Sequence, residues 1–207
     1  MSIVREVVQH AAIGVGVTDR AEGLSAIHRP GCAAAVWRRS LPEVQPWLDG
    51  LAPDQLPKAR VILRPNELKT VVSHIWDTHS GPDRDLLVDD AGRLGEIFAE
   101  LMRARHLRLR FDVITTNACR RFHIDAVTAR LVCTYRGTGT QYGISTDGDE
   151  PRRVFTVPTG ARILMRGTLW PEQPRSGLLH RSPPIEGTGE TRLVMVLDQV
   201  DDPEEEI

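Results

Sequence analysis

The feature that most constrains the fold is a change of pattern near residue 107. Leu107, Leu109, Phe111 and Val113 alternate with Arg108, Arg110 and Asp112. A period of two is what a strand with one buried face requires. More strand-like stretches follow at Ala129 to Arg136, Arg152 to Val157, Arg162 to Met165 and Arg192 to Leu197. Turn chemistry separates them, at Gly137-Thr138-Gly139, Asp147-Gly148-Asp149, Pro158-Thr159-Gly160 and Gly187-Thr188-Gly189. Short strands punctuated in this way predict a sandwich or barrel, not a parallel sheet.

Upstream of the change the chain reads as helical. Ser40-Leu41-Pro42-Glu43 has the form of a capping box and predicts a helix through Trp47 to about Leu51. Asn66 is placed to cap a second helix bearing Leu68, Val71, Val72, Ile75 and Trp76. Asp90 is placed to cap a third, with Leu94, Ile97, Phe98, Leu101 and Met102 along one stripe. The expected organisation is a helical region at 1–104, a β domain at 105–199 and an acidic tail at 200–207. The fold class is α+β, with helices layered on a C-terminal β structure.

Composition limits the function classes. At 207 residues the chain can bury a core, and 41% apolar with 26% charged residues is ordinary for a globular domain. The formal charge of −2 argues against a role centred on gripping nucleic-acid phosphates. Three cysteines, Cys32, Cys119 and Cys133, do not make a disulfide framework and suit a reducing compartment. There is no signal-peptide pattern and no run of 18 apolar residues, so the expectation is a cytoplasmic protein without a membrane partner. Eight arginines against two aspartates between Arg103 and Arg136 give a local charge of +6. The plain reading is solvated strand faces, with Arg130 and Arg136 left as residues that face a substrate.

The chemistry concentrates in Cys119-Arg-Arg-Phe-His123-Ile-Asp125. On a strand, i and i+2 share a face, so His123 and Asp125 would project together. An imidazole and a carboxylate are two members of a facial metal triad. His180, in Leu178-Leu179-His180-Arg181-Ser182-Pro183-Pro184, can supply the third if the sheet folds back. Cys119 is a possible extra ligand, which would favour zinc over iron, although a small buried hydrophobe is the commoner role for such a cysteine.

His-x-Asp, then a distant His and a final strand with an Arg, resembles the Fe(II)/2-oxoglutarate-dependent dioxygenases, whose fold is the cupin-like double-stranded β-helix. Val157-Pro-Thr-Gly160-Ala-Arg-Ile-Leu-Met165 resembles the glycine step before the distal His of those enzymes. Phe122-His123-x-Asp125, Leu131-Val-Cys-Thr-Tyr135 and His180-Arg-Ser-Pro-Pro184 together resemble a small bacterial family of unknown function linked with zinc-homeostasis proteins. The resemblance implies His123, Asp125 and His180 as metal ligands and Arg192 as partner of the distal carboxylate of 2-oxoglutarate. Tyr135 and Asn117 are further candidates for co-substrate contact, by position. The implied activity is oxidation of a small molecule or a protein side chain. The alternatives are a zinc-binding cupin-like protein of metal homeostasis, partnered with metal-trafficking proteins, and a zinc hydrolase.

Overall fold

The structure is a computed structural model that describes residues 11–77, 79–145 and 149–204. Among the described residues ten strands form two sheets. They are β1 (Gly14–Thr18), β2 (Cys32–Trp37), β3 (Ala59–Leu63), β4 (His106–Ile114), β5 (Ala129–Arg136), β6 (Gln141–Ile144), β7 (Phe155–Thr156), β8 (Arg162–Arg166), β9 (Leu178–Arg181) and β10 (Arg192–Val200). The large sheet has the order β1-β2-β8-β5-β10-β4-β3, and the small one β7-β6-β9. Pairing is antiparallel except between β1 and β2. This is the jelly-roll arrangement of a double-stranded β-helix with helices packed on one side.

Three helices supply that layer: α1 (Gln45–Gly50), α2 (Leu68–Ile75) and α3 (Pro82–Met102). Pro82 opens α3 at a position where the missing N–H costs nothing, and Asp83 and Asp85 sit favourably in its first turn. Two glycines weaken α3 in isolation, yet a Cβ on Gly95 would come within 2.5 Å of Leu68. A Cβ on Gly92 would also lie 2.9 Å from Lys69 Cβ, so the close packing of α2 on α3 favours small residues at both positions. No helix among the described residues is long and apolar enough to cross a membrane.

Each face of the large sheet has its own core. Leu131, Cys133 and Tyr135 of β5, Leu193, Met195 and Leu197 of β10, and Leu164 of β8 pack under the helices with Leu94 and Phe98. The alternate residues Val132, Val194, Val196, Ile163 and Met165 face the small sheet with Val157 and Leu178. Both faces of β10 are covered along most of its length, and its sequence, RLVMVLDQV, is accordingly apolar in a run.

The N-terminal region differs from the helical expectation. β1, β2 and β3 lie within it and complete the large sheet. Cys32–Trp37 is CAAAVW, buried at every position, so it has neither alternation nor β-branched enrichment to mark it as a strand. Trp37 is therefore a strand residue. The box at Ser40–Glu43 caps nothing, since α1 begins at Gln45 after an uncapped Val44. Asp90 is no cap either: it lies within α3 and is buried. Its carboxylate accepts from Arg39, from Arg162 and from the Tyr135 hydroxyl at 3.0 Å, tying α3 to the sheet. The tail reading at 205–207 and the N-terminal stretch 1–10 lie outside the described residues.

Candidate metal centre

His123 and Asp125 come from the connection between β4 and β5, not from a strand. His123 forms one isolated bridge with His180 of β9. Each of these residues donates its backbone N–H to the carbonyl of the other at 3.0 Å. This antiparallel pair puts both imidazoles on the same side, with ring centroids 4.5 Å apart. Asp125 is anchored through its carbonyl, which accepts from the Thr168 N–H at 2.9 Å. Gly167 sits under that segment, where a Cβ would lie 1.9 Å from the Val127 carbonyl oxygen.

The donor atoms of His123, Asp125 and His180 all lie within 4.8 Å of one another. Asp125 Oδ2 is 3.0 Å from His180 Nε2, and Oδ1 is 3.5 Å from His123 Nε2. Oδ2 is nonetheless buried without a hydrogen bond. Two ligands at right angles on a metal, each about 2.1 Å from it, are about 3.0 Å apart. His123 Nδ1 lies 2.9 Å from the Arg121 carbonyl, which fixes the proton on Nδ1 and leaves the Nε2 lone pair free. The free Nε2 of His123, the neighbouring His180 ring and an orphaned carboxylate oxygen, gathered within 4.8 Å of one another, fit a divalent cation.

The electrostatics agree. Burial alone would raise the Asp125 pKa, but the two imidazoles and Arg130 outweigh it and hold the carboxyl well below the usual range. Burial lowers the His180 pKa and keeps its ring neutral. His123, partly exposed and 3.5 Å from Asp125, is shifted upward chiefly by that carboxylate. Arg130 braces the carboxylate from behind. Its Nη1 lies 2.5 Å from Asp125 Oδ1, while Nε and Nη2 hold both oxygens of the buried Asp198 at 2.6 and 2.7 Å.

The triad opens on a cavity of about 350 Å³ between the sheets. Val132, Val194 and Val196 line its apolar side, and Arg110, Arg181 and Arg192 bring cations. Arg192 is only 1% exposed. Its Nε donates to the Thr138 carbonyl at 2.6 Å, and its buried Nη1 has no partner. Burial pushes its pKa down to about 10.

Other candidates stand elsewhere. Tyr135 does not reach the cavity; it points to the helix side, stacked on Phe111 and bonded to Asp90. Burial, then Asp90, raises its pKa well above the ordinary value. Asn117 clamps a loop: its Oδ1 accepts from the N–H groups of Ile185 and Glu186, and its Nδ2 donates to Glu186 at 2.8 Å. Cys119 lines the cavity but is exposed and does not belong to the triad cluster. Trp170 lies under Arg166 in the helix-side core. Arg110 and Arg181 were not singled out by sequence, although the polar alternation of β4 marks Arg110 as facing away from the helix-side core.

Similar solved structures share this fold. The dioxygenase for auxin oxidation from rice superposes with a TM-score of 0.53 at 12% identity, over 93% of this chain and 84% of that one. The Arabidopsis thaliana dioxygenase for auxin oxidation 1, as its 2-oxoglutarate binary complex, gives 0.52 at 10% identity, over 94% and 95%. No curated protein matches the sequence significantly. The pattern of one sequence family does match, over residues 18–198, and the chain therefore belongs to the protein family of unknown function DUF1826.

Proposed function

We propose that this protein is an Fe(II)/2-oxoglutarate-dependent oxygenase of a small molecule or a protein side chain. The observation that carries the reading is Arg192. A guanidinium buried in the triad's own cavity, with one nitrogen unpartnered, is destabilising unless an anion completes it. A planar fork that meets a carboxylate with two parallel hydrogen bonds is the natural complement. The fold shared with the dioxygenases above supports the same reading.

His123, Asp125 and His180 would hold the metal, leaving one face of it free of protein ligands. When bound, iron together with 2-oxoglutarate supplies a centre that activates dioxygen for oxidation of a C–H bond. The chain's own part is to prepare that place. Arg121 sets the His123 tautomer, burial keeps His180 neutral, and Arg130 fixes the direction of an ionised Asp125. Arg192 receives the far carboxylate of the co-substrate. The three valines give the space between them an apolar wall.

The test is anaerobic. The stripped protein is loaded with Fe(II) and titrated with 2-oxoglutarate while the metal-to-keto-acid charge-transfer band is followed. A saturable band is expected, lost in His123→Ala, with succinate formed when O2 is admitted. Tight zinc binding with no band at any 2-oxoglutarate concentration would overturn the reading in favour of a zinc-holding protein.

A further inference from the structure

The large sheet continues past the cavity. The apolar core between the two sheets draws on β2, β5, β8 and β10 and includes no residue of β3. On the cavity side of β4 stand Arg108, Arg110 and Asp112, alternating with Leu107, Leu109 and Phe111 of the helix-side core. Cross-strand register places Arg60 of β3 beside Arg110, and Val196 of β10 on its other side. Arg60 is exposed, so this flank of the cavity opens to solvent at the sheet edge.

Arg110 lines the cavity, and its Nε is buried without a partner. The neighbouring carboxylates leave it only partly compensated. Asp198, diagonally across on β10, is held bidentately by Arg130. Asp112, two residues along β4, stands nearby. Burial and the approach of Arg130 together lower the Arg110 pKa, so its charge is held at a cost.

Arg110 is also not the arginine assigned to 2-oxoglutarate. The residue of β4 paired with Arg192 is Ile114. Four residues of strand, about 13 Å, separate the two guanidinium-bearing positions. The metal triad is braced by Arg130, which pairs across Asp198 with Arg108, at the Arg110 end of the cavity. An anion at Arg110 therefore lies on the triad's side, toward the open edge.

We infer that the primary substrate is a small organic acid whose anionic group is received by Arg110, with Arg60 strengthening the field at the entrance. This assignment rests on the oxygenase reading for which end of the cavity 2-oxoglutarate occupies. The cavity, about 350 Å³, accommodates a small acid beside the co-substrate.

The experiment uses the full chain loaded with Zn(II) as an inert metal and saturated with 2-oxoglutarate. Binding of benzoate, phenylacetate and hexanoate is measured by calorimetry, each against its own amide. At least one acid is expected to bind about tenfold more tightly than its amide, the scale of one charge-assisted hydrogen bond. Arg110→Gln should bring the pair to near parity, Arg60→Gln should reduce the preference less, and Asp112→Asn should increase it. Arg110→Lys serves if the Gln variant does not fold, and should keep part of the preference. Arg192→Gln should retain the preference for the acid. Parity between every acid and amide on the wild-type protein, absence of binding by all three acids, or a preference that survives Arg110→Gln would overturn the assignment. The Fe(II)–2-oxoglutarate band, recorded on the same variants, separates the two readings. Loss of the band in wild-type protein with an Arg110-dependent preference would sink the co-substrate assignment and leave the anion site standing.

Discussion

Replacing Arg192 with Met moves two quantities in opposite directions. Arg192 is 1% exposed, makes one hydrogen bond to the Thr138 carbonyl, and leaves Nη1 buried and unpartnered. An unmade buried donor on a charged group costs about 1–3 kcal/mol, and the bond to Thr138 returns about 1 kcal/mol or somewhat more. Met has similar length, no charge and a flexible thioether suited to irregular space. Losing the donor strands the Thr138 carbonyl, which offsets part of the gain. The net expectation is a metal-free protein more stable by about 1 kcal/mol, with Tm higher by about 2–4 °C for a domain of this size. The co-substrate loses a charge-assisted contact worth about 1.5–3 kcal/mol, so its affinity should fall about 10- to 150-fold. Thermal melts of the metal-free protein give the first number, and the anaerobic 2-oxoglutarate titration gives the second. A variant that melts several degrees lower and binds 2-oxoglutarate as well as wild type would refute the reasoning, because Arg192 would then be a structural residue with an unseen partner.

Asp90→Asn removes the one carboxylate between Arg39, Arg162 and Tyr135, leaving Arg162, fully buried, without its counter-charge. A stability loss of about 3–5 kcal/mol is expected in urea unfolding with the m-value unchanged, and a loss below about 1 kcal/mol would show the cluster to be ornamental. Cys119→Ser should bind metal in the same stoichiometry as wild type, since Cys119 is exposed and apart from the triad; a large drop in affinity would make it a fourth ligand. As pH is lowered, metal affinity should begin to fall where His123, shifted upward chiefly by the nearby Asp125 carboxylate, takes its proton, at a higher pH than a free imidazole would, while His180, shifted downward by burial, is still neutral. A decline that starts only well below pH 6 in a metal-competition titration would contradict this order.

The clustering of His123, Asp125 and His180 was legible because His123 and Asp125 stand two apart in sequence and because the distant His180 precedes the last long strand. Its backbone setting was not. His-x-Asp resembles a strand by spacing, but its two side chains converge through a single bridge between His123 and His180 and a separate anchor from Thr168 to Asp125. Neither bond leaves a trace in local sequence. The strands of the second half were visible from alternation: β5 runs over Ala129–Arg136 as the pattern predicts. β2 was not, since three alanines buried on both faces present no periodicity, and its partners β1 and β8 lie far apart in the chain. Asp90 misled because an acid before an apolar stripe reads as a cap, whereas here long-range arginines compensate it inside a helix that starts eight residues earlier.

The misplacement of Tyr135 has a different cause, because the rule that corrects it was already present in β5. Tyr135 shares parity with Leu131 and Cys133, which face the helices, and opposes Val132 and Arg130, which face the cavity. The same parity sorts the arginines of the large sheet. Arg162 and Arg166 alternate with Ile163 and Met165, so they point to the helix side. There Arg162 meets Asp90, and Arg166 meets the carbonyls of Ile27 and Arg29. Arg110, Arg130 and Arg192 have the opposite parity and share the cavity with the triad. Arg130 finds two carboxylates within the protein, whereas Arg192 is given a single carbonyl and Arg110 keeps a buried nitrogen unmatched. On the helix side, then, guanidinium groups close contacts between elements. On the cavity side Arg192 meets only a backbone carbonyl and Arg110 stands beside Arg60. Arg162 on the helix side also keeps a buried Nε without a partner, but it lies against Asp90, and this difference in counter-charge is what supports the proposed binding of acids at the cavity face.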